Sequence, residues 1–130
     1  MSPLVKDLYR ALRERDVDAL ARLLHPDFEG HVAPGMPCGV GGTHHGSRSM
    51  IFEVWGEVAR VYDTAPYEED YREAAGGDVL VTGHYRGTAV ATGRSYEAEF
   101  AHLWRVDDGR LVSLHQYTDT ARWHEALLPA

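Results

Sequence analysis

An Asp-Gly turn set between two alternating apolar runs constrains the fold of this chain more than any other feature. The stretch from Ser95 to Asp119, SYEAEFAHLWRVDDGRLVSLHQYTD, places Asp107-Asp108-Gly109 between runs rich in aromatic and branched residues. Such a step between alternating runs is a strong hairpin signal. Strand side chains alternate between faces, so Tyr96, Ala98, Phe100, His102, Trp104 and Val106 share one row. In the second run Val112, Leu114, Gln116 and Thr118 share a row, while Leu111, Ser113, His115, Tyr117 and Asp119 point the other way. His102 and Gln116 therefore interrupt apolar rows. A buried polar group without a partner costs about 1–3 kcal/mol, so these two residues mark the place to look for a site.

Ahead of the hairpin the periodicity is helical. Ser2-Pro3 reads as an N-cap followed by proline at the first helical position. Leu4, Val5, Leu8 and Leu12 recur at helical spacing, with Tyr9 beside them. Asp16 and Asp18 open a second helix through Val17, Leu20, Leu23 and Leu24, which Pro26 is expected to end. Phe28 to Val32 reads as a short strand, and the Gly/Pro-rich stretch Ala33 to Gly46 as a long loop, functional or mobile. Ser47 can cap a third helix with Ile51, Val54, Trp55, Val58 and Tyr62 as its apolar stripe. From Asp63 the pattern changes to strands: Tyr67 to Ala74, then Asp78 to Ala89, then the hairpin. In Asp78 to Ala89, Leu80, Thr82, His84 and Arg86 share one face, and Val79, Val81 and Tyr85 the other. Thr120 to Leu127 reads as a terminal helix. Helices followed by a strand meander give an α+β arrangement.

At 130 residues the chain fits one domain spanning 1–130. The formal net charge of −7 argues against a nucleic-acid partner. The apolar runs are too short for a membrane helix, no secretory leader is evident, and the one cysteine, Cys38, suits a reducing cytoplasm. Together these features imply a cytoplasmic protein that binds neither nucleic acid nor membrane. The eight histidines show no metal-binding spacing, and no metal or other cofactor is expected.

The order of elements resembles the nuclear transport factor 2-like fold, also called the ketosteroid-isomerase-like or SnoaL-like fold. The resemblance rests on LYRALRERDVDALARLLHPDF near the start and VTGHYRGTAVATGRSYEAEFAHLWRVDDGRLVSLHQYTDT near the end. It implies a cone in which N-terminal helices pack on a curved antiparallel sheet, with a small apolar molecule held at the open end. It also implies a homodimer, here through the face carrying Leu103, His115 and Tyr117. The catalytic sets of the family do not carry over. The aspartate base of ketosteroid isomerases falls on Val32, their oxyanion tyrosine on Leu8 with Tyr9 one position off, and their protonated aspartate on His102. The aspartate base of polyketide cyclases resembling SnoaL falls on Gln116. The epoxide-hydrolase set of similar proteins falls on Arg86, His84, Gln116, Gly30 and Val32.

The resemblance implies a small-molecule-binding protein, an isomerase or cyclase lacking the usual Asp base. It would act by proton transfer on an apolar oxygenated compound, polyketide- or steroid-like. A non-catalytic ligand-binding or accessory protein of the same fold is the other reading. The candidate catalytic residues are His102 as oxyanion donor or acid, His84 or His31 as base, and Gln116 as an orienting group. The candidate ligand-binding residues are Tyr9, Trp55, Arg86, Phe100, Trp104 and Leu114. The bland alternative for His102 is a bond to Gln116 or Tyr9 that only satisfies a polar core. For Arg86 it is a side chain turned to solvent. On the catalytic reading, His102→Leu leaves the fold intact or more stable.

Overall fold

The computed structural model describes residues 3–129; the Ser2 cap lies outside them. Helix α1 runs Pro3–Glu14 and α2 runs Val17–Leu23. Val5, Leu8, Tyr9 and Ala11 form the buried stripe of α1, as their spacing requires. Asp16 caps α2, its side chain accepting the Ala19 N–H at 3.1 Å. The chain then extends directly into β1, Leu24–Val32, earlier than expected. Pro26 is accommodated near the start of that strand rather than after a loop, where the pairing with its neighbour is already irregular.

The stretch expected as a long loop contains an edge strand, β2, Gly42–His45, antiparallel to β1. A tight reversal with positive φ at Cys38 and Gly39 makes this return possible. The third helix begins at Ser47. Its Ser49–Trp55 stretch is wound as a π-helix, with the Gly56 N–H reaching back five residues to the Ile51 carbonyl. It continues as α3, Gly56–Val61. Strand β3 is Tyr62–Glu73, β4 is Val79–Ala89, β5 is Ser95–Asp107, and β6 is Arg110–Thr118, followed by α4, Thr120–Leu127. Tyr62 opens β3 rather than closing the helix.

The six strands form one sheet in the order β2-β1-β6-β5-β4-β3. The meander β3 to β6 is antiparallel throughout, but β1 lies parallel to β6. The sheet is therefore mixed, and this one pair departs from the all-antiparallel expectation. The parallel pair arises because the whole α3–β3–β4–β5 segment intervenes between β1 and β6.

One face of the sheet is covered by helices. It carries Phe28, Val32, Val79, Val81, Tyr85, Ala98, Phe100, His102, Trp104 and Leu114, all buried. Residues paired across neighbouring antiparallel strands share a face. Val81 pairs with His102, and His102 with Gln116, so these belong together. His84 pairs with Glu99 and with Tyr67, and therefore faces the opposite, open side.

Two glycines on β4 allow the sheet to bend over the helices. A Cβ added at Gly83 would overlap the Tyr67 carbonyl oxygen and come within 3.0 Å of the Phe100 ring, and one at Gly87 would overlap the Asp63 carbonyl oxygen. A register shift in β3 between Glu68 and Asp70 accompanies this close approach. The obstructing atoms are backbone, so they cannot rotate away. Gly83→Ala and Gly87→Ala should each lower stability by about 1–3 kcal/mol, as overpacking does. Thermal unfolding would register this as a lower midpoint; unchanged midpoints would mean that β3 can move aside.

Candidate functional site

The polar residues on the covered face form one hydrogen-bonded chain. The Trp104 Nε1–H donates to the Tyr9 hydroxyl at 2.9 Å. The Tyr9 hydroxyl lies 2.7 Å from His102 Nδ1, and His102 Nε2 lies 2.8 Å from the Tyr85 hydroxyl. The Gln116 Nε2–H also donates to the Tyr85 hydroxyl, at 2.8 Å. The Gln116 Oε1 accepts the Ala33 N–H at 3.3 Å, which fixes the orientation of the amide. The His102 ring stacks on Phe100, centroids 4.1 Å apart, and lies parallel to Tyr9.

Counting protons in this chain gives a definite result. Burial holds the His102 pKa down to about 3, so the imidazole is neutral and carries one N–H. Burial also raises both phenol pKa values, so Tyr9 and Tyr85 keep their protons. One phenol must donate to the imidazole and the other must accept from it. The accepting phenol already receives a second N–H, from Trp104 or from Gln116, so its own proton has no acceptor among the described residues. If that phenol were Tyr9, the orphan would be sealed in the core, since Tyr9 is fully buried, at a cost of about 1–3 kcal/mol. If it is Tyr85, the proton belongs to a residue that lines a cavity. The favoured arrangement is therefore Tyr9 donating to Nδ1 and Nε2–H donating to Tyr85. The Tyr85 hydroxyl then holds a proton in reserve.

That cavity is about 140 Å³. It is bounded by Leu12 at the end of α1, Arg15 at the α1–α2 corner, and Val17 and Leu20 of α2. Ile51, Trp55 and Val58 of the third helix, Thr64 and Pro66 of β3, and Tyr85 complete the wall. The π-helical winding lies in this wall, where such irregularities often accompany function.

The sequence-derived candidates divide sharply. His102, Gln116, Tyr9 and Trp104 meet in one network, with Phe100 and Leu114 buried beside them. Trp55 lines the cavity. His102 has both ring nitrogens engaged, so it cannot itself reach a ligand in this arrangement. The other three candidates lie elsewhere. His84 and Arg86 are on the open face, held by Glu69 at 2.9 and 3.2 Å, with Arg86 also bonded to Glu97 at 2.7 Å. They were assigned to the cavity by choosing the wrong face of β4; the cross-strand register puts Tyr85 inside and its neighbours outside. Arg86 therefore turns to solvent. His31 stacks on His115, centroids 4.1 Å apart, and bonds Glu29 at 2.6 Å on the same open side, while Val32 points inward. Among the described residues no group of three or more His, Cys, Asp or Glu side chains is arranged to hold a metal ion, and no helix is long and apolar enough to cross a membrane.

Sequence reasoning missed Tyr85 and Arg15. For Tyr85 a signal existed: Val79, Val81 and Tyr85 make the more apolar face of their strand, and that face belongs on the core. Arg15 had none, because a helix-corner arginine looks like any solvated charge.

The chain belongs to the SnoaL-like domain family, whose model matches residues 5–114. Solved structures agree. An NTF2-like protein of unknown function from Burkholderia pseudomallei K96243 is 32% identical, with 98% of each chain covered and a TM-score of 0.87. TerC, co-crystallized with polyporic acid, is 28% identical over 96% of this chain and 98% of its own, with a TM-score of 0.84. IdmH of Streptomyces antibioticus, a candidate polyketide cyclase, is 23% identical over 95% of each chain, with a TM-score of 0.78, and shares the fold. No curated protein matches.

Burial of neutral His102 couples stability to pH. The folded pKa of about 3 lies below the value of about 6.5 expected when unfolded. The unfolded chain therefore takes up the proton first, and this contribution to stability is full above about pH 6.5 and lost progressively as pH falls toward 3. The loss is of order several kcal/mol. His102→Gln, which keeps a donor and an acceptor, should flatten the part of the acid limb due to this residue in a denaturation series from pH 7 to pH 4. His102→Leu removes the acceptor for Tyr9 and should destabilise by about 1–3 kcal/mol, contrary to the expectation from sequence that it would be tolerated.

Proposed function

We propose that this domain binds an apolar, oxygenated small molecule in the cavity beside α3 and acts on it as a cyclase- or isomerase-type enzyme. Its chemical contribution is a hydrogen bond from Tyr85 to a carbonyl or enolate oxygen. The observation that carries this reading is the hydrogen-bond chain that leaves Tyr85 its own proton, on a residue lining a pocket that is apolar apart from Thr64 and Arg15. Gln116 and His102 both donate to the Tyr85 oxygen, which makes its own O–H a stronger donor and orients it. A preorganised donor aimed at developing negative charge stabilises that charge without reorganisation.

The same network argues for polarisation rather than complete proton transfer. If Tyr85 gave up its proton, His102 could replace it and Tyr9 could in turn replace the proton of His102. The negative charge would end on Tyr9, fully buried and supported by the Trp104 N–H and by the newly protonated His102 Nδ1. Burial already raises the Tyr9 pKa well above its ordinary value, so that end state is disfavoured. Bond reorganisation within the substrate, with its proton returning to solvent or to another substrate atom, fits this site better than a residue-borne acid. TerC, 28% identical, was co-crystallized with polyporic acid, which supports an oxygenated organic ligand. The cavity of about 140 Å³ is small beside usual ligand pockets, which run from about 300 to 1,000 Å³. It therefore suits one ring of such a compound, the remainder extending through the mouth.

A second reading, ligand binding without turnover, is favoured by one observation: among the described residues lining the cavity there is no carboxylate and no imidazole. The half-buried Leu103 and exposed Tyr117 on the open face support a homodimer under either reading. Tyr85→Phe separates the two functional readings. It keeps the ring and removes the donor. For acetophenone as a neutral ketone probe, tryptophan fluorescence titration should show about a five- to tenfold weaker dissociation constant in Tyr85→Phe. Equal affinity would remove Tyr85 from the site. Turnover of a bound compound identifies the enzyme, and a loss in kcat at unchanged KM in Tyr85→Phe then assigns Tyr85 to the chemical step; binding with no turnover identifies the binder.

A further inference from the structure

Arg15 is among the residues that line the cavity. It sits at the corner between α1 and α2 with φ of 55°, a left-handed backbone that non-glycine residues adopt infrequently. This corner delivers its side chain to the cavity wall. Every other lining side chain except Tyr85 and Thr64 is apolar, so Arg15 is the one charged group among the described lining residues.

The guanidinium of Arg15 is weakly committed inside the protein. Its recorded partner is Asp63 at 3.5 Å, with the two side chains 52% and 84% exposed. Exposed pairs of this kind contribute little, and many contribute nothing measurable. The neighbouring arginines are differently disposed: Arg13 is bound to Glu68 and to the Pro66 carbonyl, and Arg10 to Asp7 at 2.7 Å. Arg15 is thus a cation on an apolar pocket whose partner a ligand anion can displace. A planar guanidinium matches a carboxylate with two parallel hydrogen bonds.

We infer that the ligand is an anion with a neutral carbonyl: an apolar ring bearing a carboxylate or an acidic enol toward Arg15, and a keto or quinone oxygen toward Tyr85. This rests on the cavity reading given above and narrows it to acidic keto compounds. Arg15 holds the anionic end and Tyr85 polarises the other, so the two groups fix which oxygen becomes activated.

The test uses 4-acetylbenzoate, which carries a ketone and a carboxylate across one ring, and its methyl ester, which differs in lacking the charge. Tryptophan fluorescence titration on the full chain should show the acid binding about tenfold or more tightly than the ester. Arg15→Gln should abolish that preference, leaving the ester unaffected. Asp63→Asn, which frees Arg15, should tighten the acid about two- to threefold and leave the ester unchanged. Added salt should weaken the acid alone. Acid and ester binding equally, both indifferent to Arg15→Gln, would overturn the anion assignment and leave the cavity reading standing. If neither compound binds, both the cavity reading and this inference fall. A circular-dichroism melt of each variant within a few degrees of wild type excludes loss of folding as the cause.

Discussion

A neutral imidazole held by two phenols is the constraint from which the interior of this protein follows. His102 is 2% exposed and both its ring nitrogens are within 2.8 Å of tyrosine hydroxyls. A buried histidine tolerates its surroundings when each nitrogen has a partner of the right sense. Here the partners come from α1 and from β4, so one side chain on β5 ties a helix to two neighbouring strands. Trp104 and Gln116 extend the tie to the rest of the hairpin and, through the Ala33 N–H, to the end of β1. The network therefore fixes the position of the helix over the sheet as well as the orientation of Tyr85.

The same constraint limits chemistry. A network that neutralises every internal group leaves neither a free base nor a free acid, and the aspartates used by relatives have no counterpart at Val32 or Gln116. What remains is one phenol proton beyond the number of internal acceptors. On the reading proposed above, the site stabilises charge on a ligand oxygen without taking or giving a proton outright. This is narrower than the proton-transfer reading drawn from the family, and it follows from a surplus of donor hydrogens over acceptors in the network rather than from any single residue.

Packing decides how much room this leaves. Helix α4 closes against the sheet, with Trp123 buried among Tyr62, Tyr85 and Tyr96. The Tyr62 hydroxyl donates to the Trp123 carbonyl at 2.7 Å, and the Thr92 hydroxyl to that of Ala126 at 2.6 Å. Trp123 thus occupies space on one side of Tyr85 while the cavity borders it elsewhere. Gly83 and Gly87 let β3 approach β4 closely on either side of the same tyrosine. The position of Tyr85 is over-determined from three directions, which is what a directional donor needs.

Much of the fold was legible in the sequence because it rests on short-range patterns. Periods of 3.6 and 2 separate the helical first half from the strands, and the Asp-Gly turn sets the hairpin. Alternation then places His102 with Phe100 and Trp104, and Gln116 with Leu114. Each of these is decided within one element or between adjacent ones. The orientation of β4 was not decided in that way. Its Val79, Val81 and Tyr85 face is the more apolar one, but both faces carry polar groups, and the pattern alone did not keep His84 and Arg86 out of the cavity. The pairing of Val81 with His102 settles the choice, and pairing is a property of the sheet. The parallel partnership of β1 with β6 likewise joins segments far apart in sequence, and it carries His31 outward with His115. The reserve proton of Tyr85 is more remote still, because it depends on five side chains from α1, β4, β5 and β6 and on which of them is sealed from the cavity. The sequence by itself determined which residues could be buried together; only the tertiary structure decided which proton is left over, since hydrogen-bond satisfaction is counted over contacts in space.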